Sequence, residues 1–257
     1  MLTIENLEYS YGKIKALNGI SATVNTGEIV SIVGANGAGK STLMRCIAGL
    51  LKPKSGEILY DGKPLPHTPH EVVARGISLV PEGRWIFPNL SVEENLLMGG
   101  YLVKDRSVGI ARSFAMFPRL EERRHQRAGT LSGGEQAKLL LALLFAREGR
   151  YLLIDEPTNH LDETGRALVS RYLAKKSGFL LVSHDRAFLD GCVDHILSIG
   201  RSSIEVQRGN FSSWYENKQR QDAFELAQNA QLKKEIGRLK QAARQSRAWA
   251  DKVENTK

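Results

Sequence analysis

The chain has 257 residues, 42% of them hydrophobic, and a formal net charge of +8. This length allows one large domain or two small ones with a sizeable core. A membrane-spanning helix is excluded, because the longest apolar run, residues 139–146, is far too short to cross a bilayer. The first residues, MLTIENLEYSYG, are typical of a strand and not of a secretion signal. We therefore expect a cytoplasmic protein, or one held at a membrane by a partner.

The positive charge fits a nucleic-acid partner or an anionic lipid surface, and it fits a solvated basic surface equally well. The two cysteines, Cys46 and Cys192, are far apart and show no metal-ligand spacing. We expect both to be small buried side chains.

The first half of the chain alternates strand and helix signals. Residues 29–33 form a short apolar run that leads into a glycine-rich loop, and a helical pattern follows from Ser41 to Leu51. Strand, glycine-rich loop and helix in this order are the context that a phosphate-binding loop requires. Further strands are predicted at residues 3–9, 56–60 and 77–80, and the apolar run belongs to a longer strand stretch at residues 20–33 with a turn at residues 25–27.

Helices dominate the middle of the chain. Ser91 and Glu94 form a capping-box pattern that predicts a helix start, and residues 91–147 are helical with interruptions at Pro118 and at residues 129–134. Apolar strands at residues 151–154 and 179–182 follow, with a crossover helix at residues 163–176 between them. These elements predict an α/β core with a helical insertion at about residues 85–147.

The composition changes at about residue 217. Residues 1–216 are predicted to form the nucleotide-binding domain, and residues 217–257 a basic, coiled-coil-like helical tail. In the tail Leu232, Ile236, Leu239 and Ala243 start a heptad seam that continues with small residues to Val253. A basic helix seeking a partner and a solvated, frayed terminal helix both fit this pattern.

Residues 34–42 (GANGAGKST) match the phosphate-binding pattern G-x-x-x-x-G-K-[ST]. Glycines let backbone N–H groups surround phosphates, and the following helix directs its positive end at the same anion. We expect Lys40 to reach the β- and γ-phosphates of ATP and Ser41 to bind Mg²⁺. The predicted nucleotide-binding residues of this loop are Gly34, Asn36, Gly37, Ala38, Gly39, Lys40, Ser41 and Thr42.

Two acids follow the apolar strand at residues 151–154. Asp155 and Glu156 stand where α/β sheets bind ligands, at the carboxyl end of a strand. We expect Asp155 to bind Mg²⁺ and Glu156 to act as general base for the attacking water.

A second glycine-rich helix start lies at residues 131–136 (LSGGEQ), and its Ser132, Gly133 and Gly134 suit an anion. One nucleotide cannot easily use both helix starts within one domain. We therefore predict a head-to-tail dimer, or a pairing with a second cassette, in which each chain offers its Ser132 turn to the other's P-loop.

Together these motifs resemble the ATP-binding cassette (ABC) family over nearly the whole chain. The resemblance implies an α/β fold with a P-loop nucleotidase core, an antiparallel β subdomain and a helical insertion. It also implies that Tyr11 stacks on adenine, although packing at a strand edge is the alternative. Glu82 stands where most members carry a glutamine that contacts the metal and its water, so the added charge leaves its role open. Asp162, in the sequence His160-Leu161-Asp162, matches a loop that touches the opposite subunit. His184 matches the switch histidine near the γ-phosphate.

Two branches of the family are resembled in one chain. Residues 1–136 resemble the ATPase subunit of branched-chain amino acid importers, in which Glu82 is normal. From Ala137 onward, stretches such as LLIDEPTNHLD resemble the first cassette and linker start of ABC-F proteins, which are ribosome-associated twin-cassette ATPases. We hypothesise a hybrid joined near LSGGEQ, with its weakest contact between residues 137–148 and the first half.

Three functions follow from these observations. The first is an energiser of amino acid transport, with residues 84–104 docking on a membrane permease. In that segment Trp85, Ile86 and Phe87 are either exposed contacts or buried under the helix that starts at Ser91. The second is an ABC-F-like fragment that binds ribosomal RNA through its basic tail, although no second cassette is present. The third is a dimerising ATPase without a transduced output.

Overall fold

The structure, a computed structural model, describes residues 1–83, 86–100, 105–145, 150–159, 161–176, 178–200 and 204–254. Its contacts divide into one unit at Met1–Phe211 and another at Ser212–Lys257. Within the described ranges, no helix combines the length and the apolar composition that crossing a bilayer demands. The domain boundary at residues 216/217 stays a prediction.

A four-stranded antiparallel sheet carries the start of the chain. It contains β1 (Leu2–Tyr11), β2 (Ile14–Val24), β4 (Ser55–Tyr60) and β5 (Lys63–Pro64), in the order β2-β1-β4-β5. Leu2 and Ile4 point to the same buried face of β1, as the two-residue period of a strand dictates. This sheet is the predicted antiparallel β subdomain.

A six-stranded sheet forms the nucleotidase core. Its strands are β10 (Ile204–Arg208), β9 (His195–Ile199), β3 (Ile29–Gly34), β8 (Phe179–Val182), β7 (Tyr151–Asp155) and β6 (Ile77–Val80), in that spatial order. All neighbours are parallel except the antiparallel β10–β9 pair. Every residue of β8 is buried, as expected for a strand covered on both faces. Strands β9 and β10 were not among the predicted elements.

Helices make up most of the other regular structure in the described residues. They are α1 (Lys40–Ile47), α2 (Pro69–Ala74), α3 (Val92–Gly99), α4 (Ser107–Met116), α5 (Pro118–Glu122), α6 (Gly133–Phe145), α7 (Glu163–Leu173), α8 (Arg186–Asp190) and α9 (Phe211–Glu254), with a 3-10 turn at Ala128–Thr130. The capping box at Ser91 is confirmed, because Glu94 N–H donates to Ser91 Oγ and Ser91 N–H donates to the Glu94 carboxylate.

The first helix ends earlier than the sequence pattern predicts. Gly49 adopts a φ of 72°, and its N–H donates to the Cys46 carbonyl while the Leu50 N–H donates back to the Arg45 carbonyl. These two bonds are a Schellman ending, which satisfies the last carbonyls and stops the helix. The extension of α1 to Leu51 was therefore wrong. On the inner side of α1, Leu43, Met44 and Ile47 are fully buried in the core.

The second unit is the long helix α9, which begins at Phe211, before the change in composition. Its seam residues Leu232, Ile236 and Leu239 are 51%, 50% and 65% exposed. Lys218 and Asp222 form an ion pair one turn apart, 2.9 Å between Nζ and Oδ1. The side chains of Ser246, Ala250 and Val253, later in the seam, lie outside the described part of the chain.

Candidate active site

A cleft of ≈ 610 Å³ opens where β3 passes through the glycine-rich loop into α1, and we call it the P-loop cleft. Lys40 is buried there, and its Nζ donates to the carbonyls of Gly34 at 2.8 Å and Ala35 at 3.2 Å. Gly39 precedes the helix at a φ of 96°, and a Cβ built on it would lie 2.5 Å from the Ala16 carbonyl oxygen. The loop therefore requires glycine at this position for both its conformation and its space.

Most of the predicted nucleotide residues meet in this cleft. Its lining includes Tyr11, Asn36, Gly37, Gly39, Lys40, Ser41, Thr42, Glu82, Asp155, Glu156 and His184. Gly34 and Ala38 are in the loop but do not line the cleft; Ala38 faces a neighbouring cavity on the other side of the loop. Sequence reasoning missed Lys15 and Asn159, which also line it and belong to no motif that marks a ligand contact.

Two acids with raised pKa values, Asp155 and Glu156, lie at the carboxyl end of β7. Asp155 is 5% exposed, and no described residue donates a hydrogen bond to its buried Oδ1. Burial raises the pKa of Asp155, the nearby Glu82 adds to the rise, and hydrogen bonding from Ser41 opposes it. A buried carboxylate oxygen without a donor, next to a hydroxyl and a second acid, is a donor set that fits Mg²⁺.

No group of three His, Cys, Asp or Glu side chains that could hold a metal occurs among the described residues. Mg²⁺ in ATPase sites commonly takes one or two protein ligands and completes its shell with phosphate oxygens and water. Ser41, Asp155 and Glu82 line the cleft together and are the residues that would hold it.

Glu156 follows Asp155 in an unusual backbone conformation, with a φ of 51°. A left-handed conformation in a residue other than glycine costs on the order of 1 kcal/mol or more and is concentrated at functional sites. Its carboxylate is held by His184, whose backbone N–H donates to Oε2 at 3.3 Å and whose Nε2 lies 3.4 Å from Oε1. Burial raises the pKa of Glu156, with Asp155 and Glu82 adding to the rise and His184 opposing it.

Tyr11 stands at the rim of the P-loop cleft and is 44% exposed. Its ring meets the Tyr9 ring edge to face, with centroids 5.0 Å apart at 77°. Its hydroxyl is 3.5 Å from the Thr42 hydroxyl. The ring is thus supported from the β subdomain and is accessible to a planar ligand.

The LSGGEQ turn lies in a different cleft, of ≈ 520 Å³, which we call the Ser132 cleft. It is lined by Ser132, Gly134, Glu135, Lys138 and Asp162, with Met116–Leu120 on its other side. Gly133, the first residue of α6, lies between two of these lining positions. None of the residues that line the Ser132 cleft also lines the P-loop cleft.

Ser132 and Glu135 form a second capping box at the start of α6. The Glu135 Oε2 accepts hydrogen bonds from Ser132 Oγ at 2.7 Å and Ser132 N at 3.0 Å. The sequence analysis missed Glu135, although the same S-x-x-E spacing that predicted the helix start at Ser91 is present here.

Asp162 caps α7 and joins it to α6. Its Oδ1 accepts a hydrogen bond from the Gly165 N–H at 2.7 Å, and its Oδ2 is 3.1 Å from Lys138 Nζ. These interactions lower the pKa of Asp162. His160, the predicted neighbour in the same loop, lies outside the described residues.

The comparison with protein families agrees with this geometry. A family model described as ABC transporter matches residues 17–159. The chain belongs to this family. It is an ATP-binding ATPase domain, and its parallel core, antiparallel subdomain and helical insertion are the architecture of the ABC ATPases of known structure.

Two kinds of relative are similar to this chain. The high-affinity branched-chain amino acid transport ATP-binding protein BraG of Pseudomonas aeruginosa is 45% identical over 161 residues, which are 62% of this chain and 69% of BraG. The energy-dependent translational throttle protein EttA of Haemophilus influenzae is 35% identical over 235 residues, which are 86% of this chain and 38% of EttA. This chain therefore spans less than half the length of EttA.

Solved structures with the same fold include an ATP-binding subunit of an ABC transporter, with a TM-score of 0.72 at 26% identity, covering 83% of this chain and 91% of that one. A dimeric ATP-binding cassette in a post-hydrolysis state with ADP and phosphate has a TM-score of 0.71 at 24% identity, covering 81% and 98%. At that identity the second likeness concerns the fold alone.

Proposed function

We propose that this chain binds Mg-ATP in the P-loop cleft and hydrolyses it as one half of a head-to-tail dimer. The observation that carries the proposal is the separation of the two phosphate-binding helix starts into two clefts. Lys40 and Ser41 line one, Ser132 and Gly134 line the other, and the clefts share no lining residue. A second copy supplies the Ser132 turn that the first copy's ATP lacks.

Within one chain, the Lys40 side chain already lies against the loop, because its Nζ donates hydrogen bonds to the Gly34 and Ala35 carbonyls. Bound phosphate oxygens replace these weak neutral acceptors with charged ones, and hydrogen bonds between charged groups are about twice as strong. Ser41, Asp155 and Glu82 would hold Mg²⁺, which would supply positive charge to neutralise the phosphates. Tyr11 stacks on the adenine ring, a role in which its edge-to-face contact with Tyr9 fixes the ring.

Glu156 is the general base. Its raised pKa makes its carboxylate a better proton acceptor than an exposed glutamate, and its backbone position at the end of β7 directs it into the cleft. It accepts a proton from the water that attacks the γ-phosphate. His184 orients Glu156 through its backbone N–H and its ring.

The Glu156→Gln variant tests this proposal. The amide keeps the shape of the side chain but cannot accept the proton, so ATP stays bound and the dimer accumulates. Light scattering with Mg-ATP is expected to show a dimer for Glu156→Gln and a transient one for Glu205→Gln, a matched change on β10, outside the lining of either cleft. A Glu156→Gln protein that stays monomeric with saturating Mg-ATP contradicts the head-to-tail site.

For the output of the cycle we propose amino acid transport at the inner face of a membrane, supported by the similarity to BraG. The docking surface includes Phe87 and Met98, which are 51% and 47% exposed, while Ile86 is partly buried. Trp85 and residues 101–104 of the predicted surface lie outside the described residues. Pull-down with a branched-chain importer permease, comparing wild type with Phe87→Ser, tests this surface; unchanged capture argues against it.

The alternative is a ribosome-associated ATPase, favoured by the match to EttA over 86% of this chain and by the basic α9. Binding of basic side chains to RNA phosphates releases counterions, and the free energy gained from this release falls as the salt concentration rises, so the contacts weaken. Cosedimentation with ribosomes that falls steeply with rising salt supports this alternative. Capture by the permease without cosedimentation at low salt rejects it.

We also propose that the chain is a hybrid joined near LSGGEQ. The contacts across that join are close: a Cβ built on Gly99 of α3 would lie 2.7 Å from Leu143 Cδ2 of α6, and Ser113 Oγ of α4 donates to the buried Ala142 carbonyl at 3.2 Å. Such packing supports one cooperative unit. A thermal melt without a cooperative transition would argue against a well-formed hybrid.

A further inference from the structure

An ion pair links the start of α6, beside Ser132, to the residue that follows α5. Arg123, one residue after α5, places its Nε 3.4 Å from Glu135 Oε1. The other oxygen of that carboxylate, Oε2, accepts both the hydroxyl and the backbone N–H of Ser132. One carboxylate therefore joins Arg123 to Ser132.

The position of Glu135 creates an electrostatic problem for an anion site. Its side chain is only 13% exposed, and it stands in the first turn of α6, the turn that would have to receive the triphosphate of a partner. A carboxylate there repels an approaching phosphate, and the repulsion grows where water is excluded. The positive end of α6 alone supplies only about half an elementary charge.

Titration does not remove this negative charge. Burial of Glu135 opposes its ionisation, but hydrogen bonds from Ser132 and the charges of Arg123 and Arg119 outweigh burial and lower its pKa. Glu135 therefore stays ionised at neutral pH and needs a positive neighbour. Among the described residues, Arg123 forms the ion pair with Glu135, and the charge of Arg119 also lowers the pKa of Glu135.

We propose that Arg123 is a positioning residue that neutralises Glu135 and thereby keeps the Ser132 turn able to accept the partner's ATP. The inference rests on the proposed function, because it assumes that Ser132 meets the γ-phosphate of a second copy. Arg123 touches no substrate; it acts through Glu135. Because Arg123 follows α5 and Glu135 belongs to α6, a displacement of α5 relative to α6 changes the charge beside the Ser132 turn.

The adjacent residue is a matched control. Arg124 pairs with Glu93 of α3 and has its guanidinium 5.7 Å from the centre of the Phe114 ring, so its charge is used within the insertion. Arg123→Gln and Arg124→Gln remove the same charge from neighbouring positions and change the net charge of the protein equally. Only the first leaves Glu135 without its ion-pair partner.

The experiment uses the full chain in the Glu156→Gln background and measures the Mg-ATP concentration that gives half-maximal dimer by light scattering. Arg123→Gln is expected to raise that concentration by on the order of tenfold, because the mostly buried Glu135 carboxylate loses its ion-pair partner. Arg124→Gln is expected to leave it unchanged, and Arg123→Lys to keep most of the wild-type value. Adding Glu135→Gln to Arg123→Gln is expected to restore dimerisation, because the amide no longer repels phosphate.

The rescue separates a charge effect from a packing effect, since a merely structural role of Arg123 is not repaired by removing its partner's charge. Equal behaviour of Arg123→Gln and Arg124→Gln, or a double variant no better than Arg123→Gln, overturns the inference. Failure of the parent Glu156→Gln protein to dimerise at all overturns the proposed function instead, so the two failures are distinguishable.

Discussion

The carboxylates of the two clefts differ in how the protein treats their charge. In the P-loop cleft, burial raises the pKa of Asp155 and Glu156. In the Ser132 cleft, hydrogen bonds and cations lower the pKa of Glu135 and Asp162 despite some burial. The carboxylates of Asp155 and Glu156 are available to accept a metal ion or a proton. Those of Glu135 and Asp162 are bound by the side chains or backbone of Ser132, Gly165, Arg123 and Lys138.

This difference indicates a division of labour between the two faces of the chain. Groups that must gain a cation or a proton during the reaction are left incompletely satisfied, which costs stability and provides reactivity. Groups that must present a fixed surface to another molecule are fully paired, which provides rigidity. We therefore propose that the chemistry of ATP belongs to the P-loop cleft and that the Ser132 cleft supplies shape and hydrogen-bond donors to a neighbouring copy.

The largest effect is expected for Glu156→Gln. Loss of a general base lowers kcat by about 10²–10⁴-fold, while Mg-ATP affinity stays near the wild-type value because no phosphate contact is removed. Single-turnover hydrolysis and equilibrium nucleotide binding measure the two quantities. An equal loss of kcat in Asp162→Asn would contradict the division of roles.

Lys40→Ala comes next. Removing a charged donor to phosphate is expected to weaken Mg-ATP binding by about 100-fold, from the strength of hydrogen bonds that involve charged groups. Titration calorimetry measures the affinity, and Lys54→Ala, outside both clefts, is the control for net charge. Equal affinities of Lys40→Ala and wild type would refute the P-loop assignment.

Motifs of fixed spacing allowed much of the P-loop cleft to be predicted. The residues from Asn36 to Thr42, apart from Ala38, meet Asp155 and Glu156 in one cleft because parallel strands end at the same edge of the sheet. The α/β core was predicted because apolar runs and turn residues mark its elements locally, whereas the antiparallel subdomain was predicted from the family resemblance.

What the sequence analysis missed depends on contacts between distant segments. The pairing of Arg123 with Glu135 and of Lys138 with Asp162 joins residues that no short pattern relates. Strand β9 was missed because its alternation is brief, and its position follows from pairing with β3. Lys15 and Asn159 reach the P-loop cleft only through the fold.

A smaller effect, on stability, is expected for Gly129→Ala, beneath the Ser132 turn. A Cβ at Gly129 would lie 2.9 Å from both the Cβ and the carbonyl oxygen of Pro88. Forcing this contact is expected to lower the free energy of unfolding by about 1–3 kcal/mol. Denaturant unfolding measures it, with Gly237→Ala in α9 as control, because a Cβ there meets nothing within 4 Å. A Gly129→Ala protein as stable as the Gly237→Ala protein would show that the Ser132 face is less rigid than proposed.

The smallest effect is the most direct test of the comparison, because the two clefts should respond to pH with opposite signs. The folded pKa of Asp155 is raised above its ordinary 3.8. The folded protein therefore holds this proton to higher pH than the unfolded chain does, and its stability falls as pH rises from 3.8 through the raised pKa. Asp155→Asn removes this titration. The variant is therefore expected to be as stable as wild type below pH 3.8 and more stable than wild type at neutral pH.

For Asp162 the folded pKa is lowered, so its contribution is present above the unfolded value and is lost as pH falls through the folded pKa. Asp162→Asn is thus expected to be less stable than wild type at neutral pH and to converge with it in acid. Thermal melts of wild type and both variants across this range, without nucleotide or Mg²⁺, measure the two differences. Because the two substitutions are chemically identical, each variant is the other's control. Differences of the same sign would show that the clefts are not electrostatically distinct, and the assignment of reactivity to one and rigidity to the other would then fail.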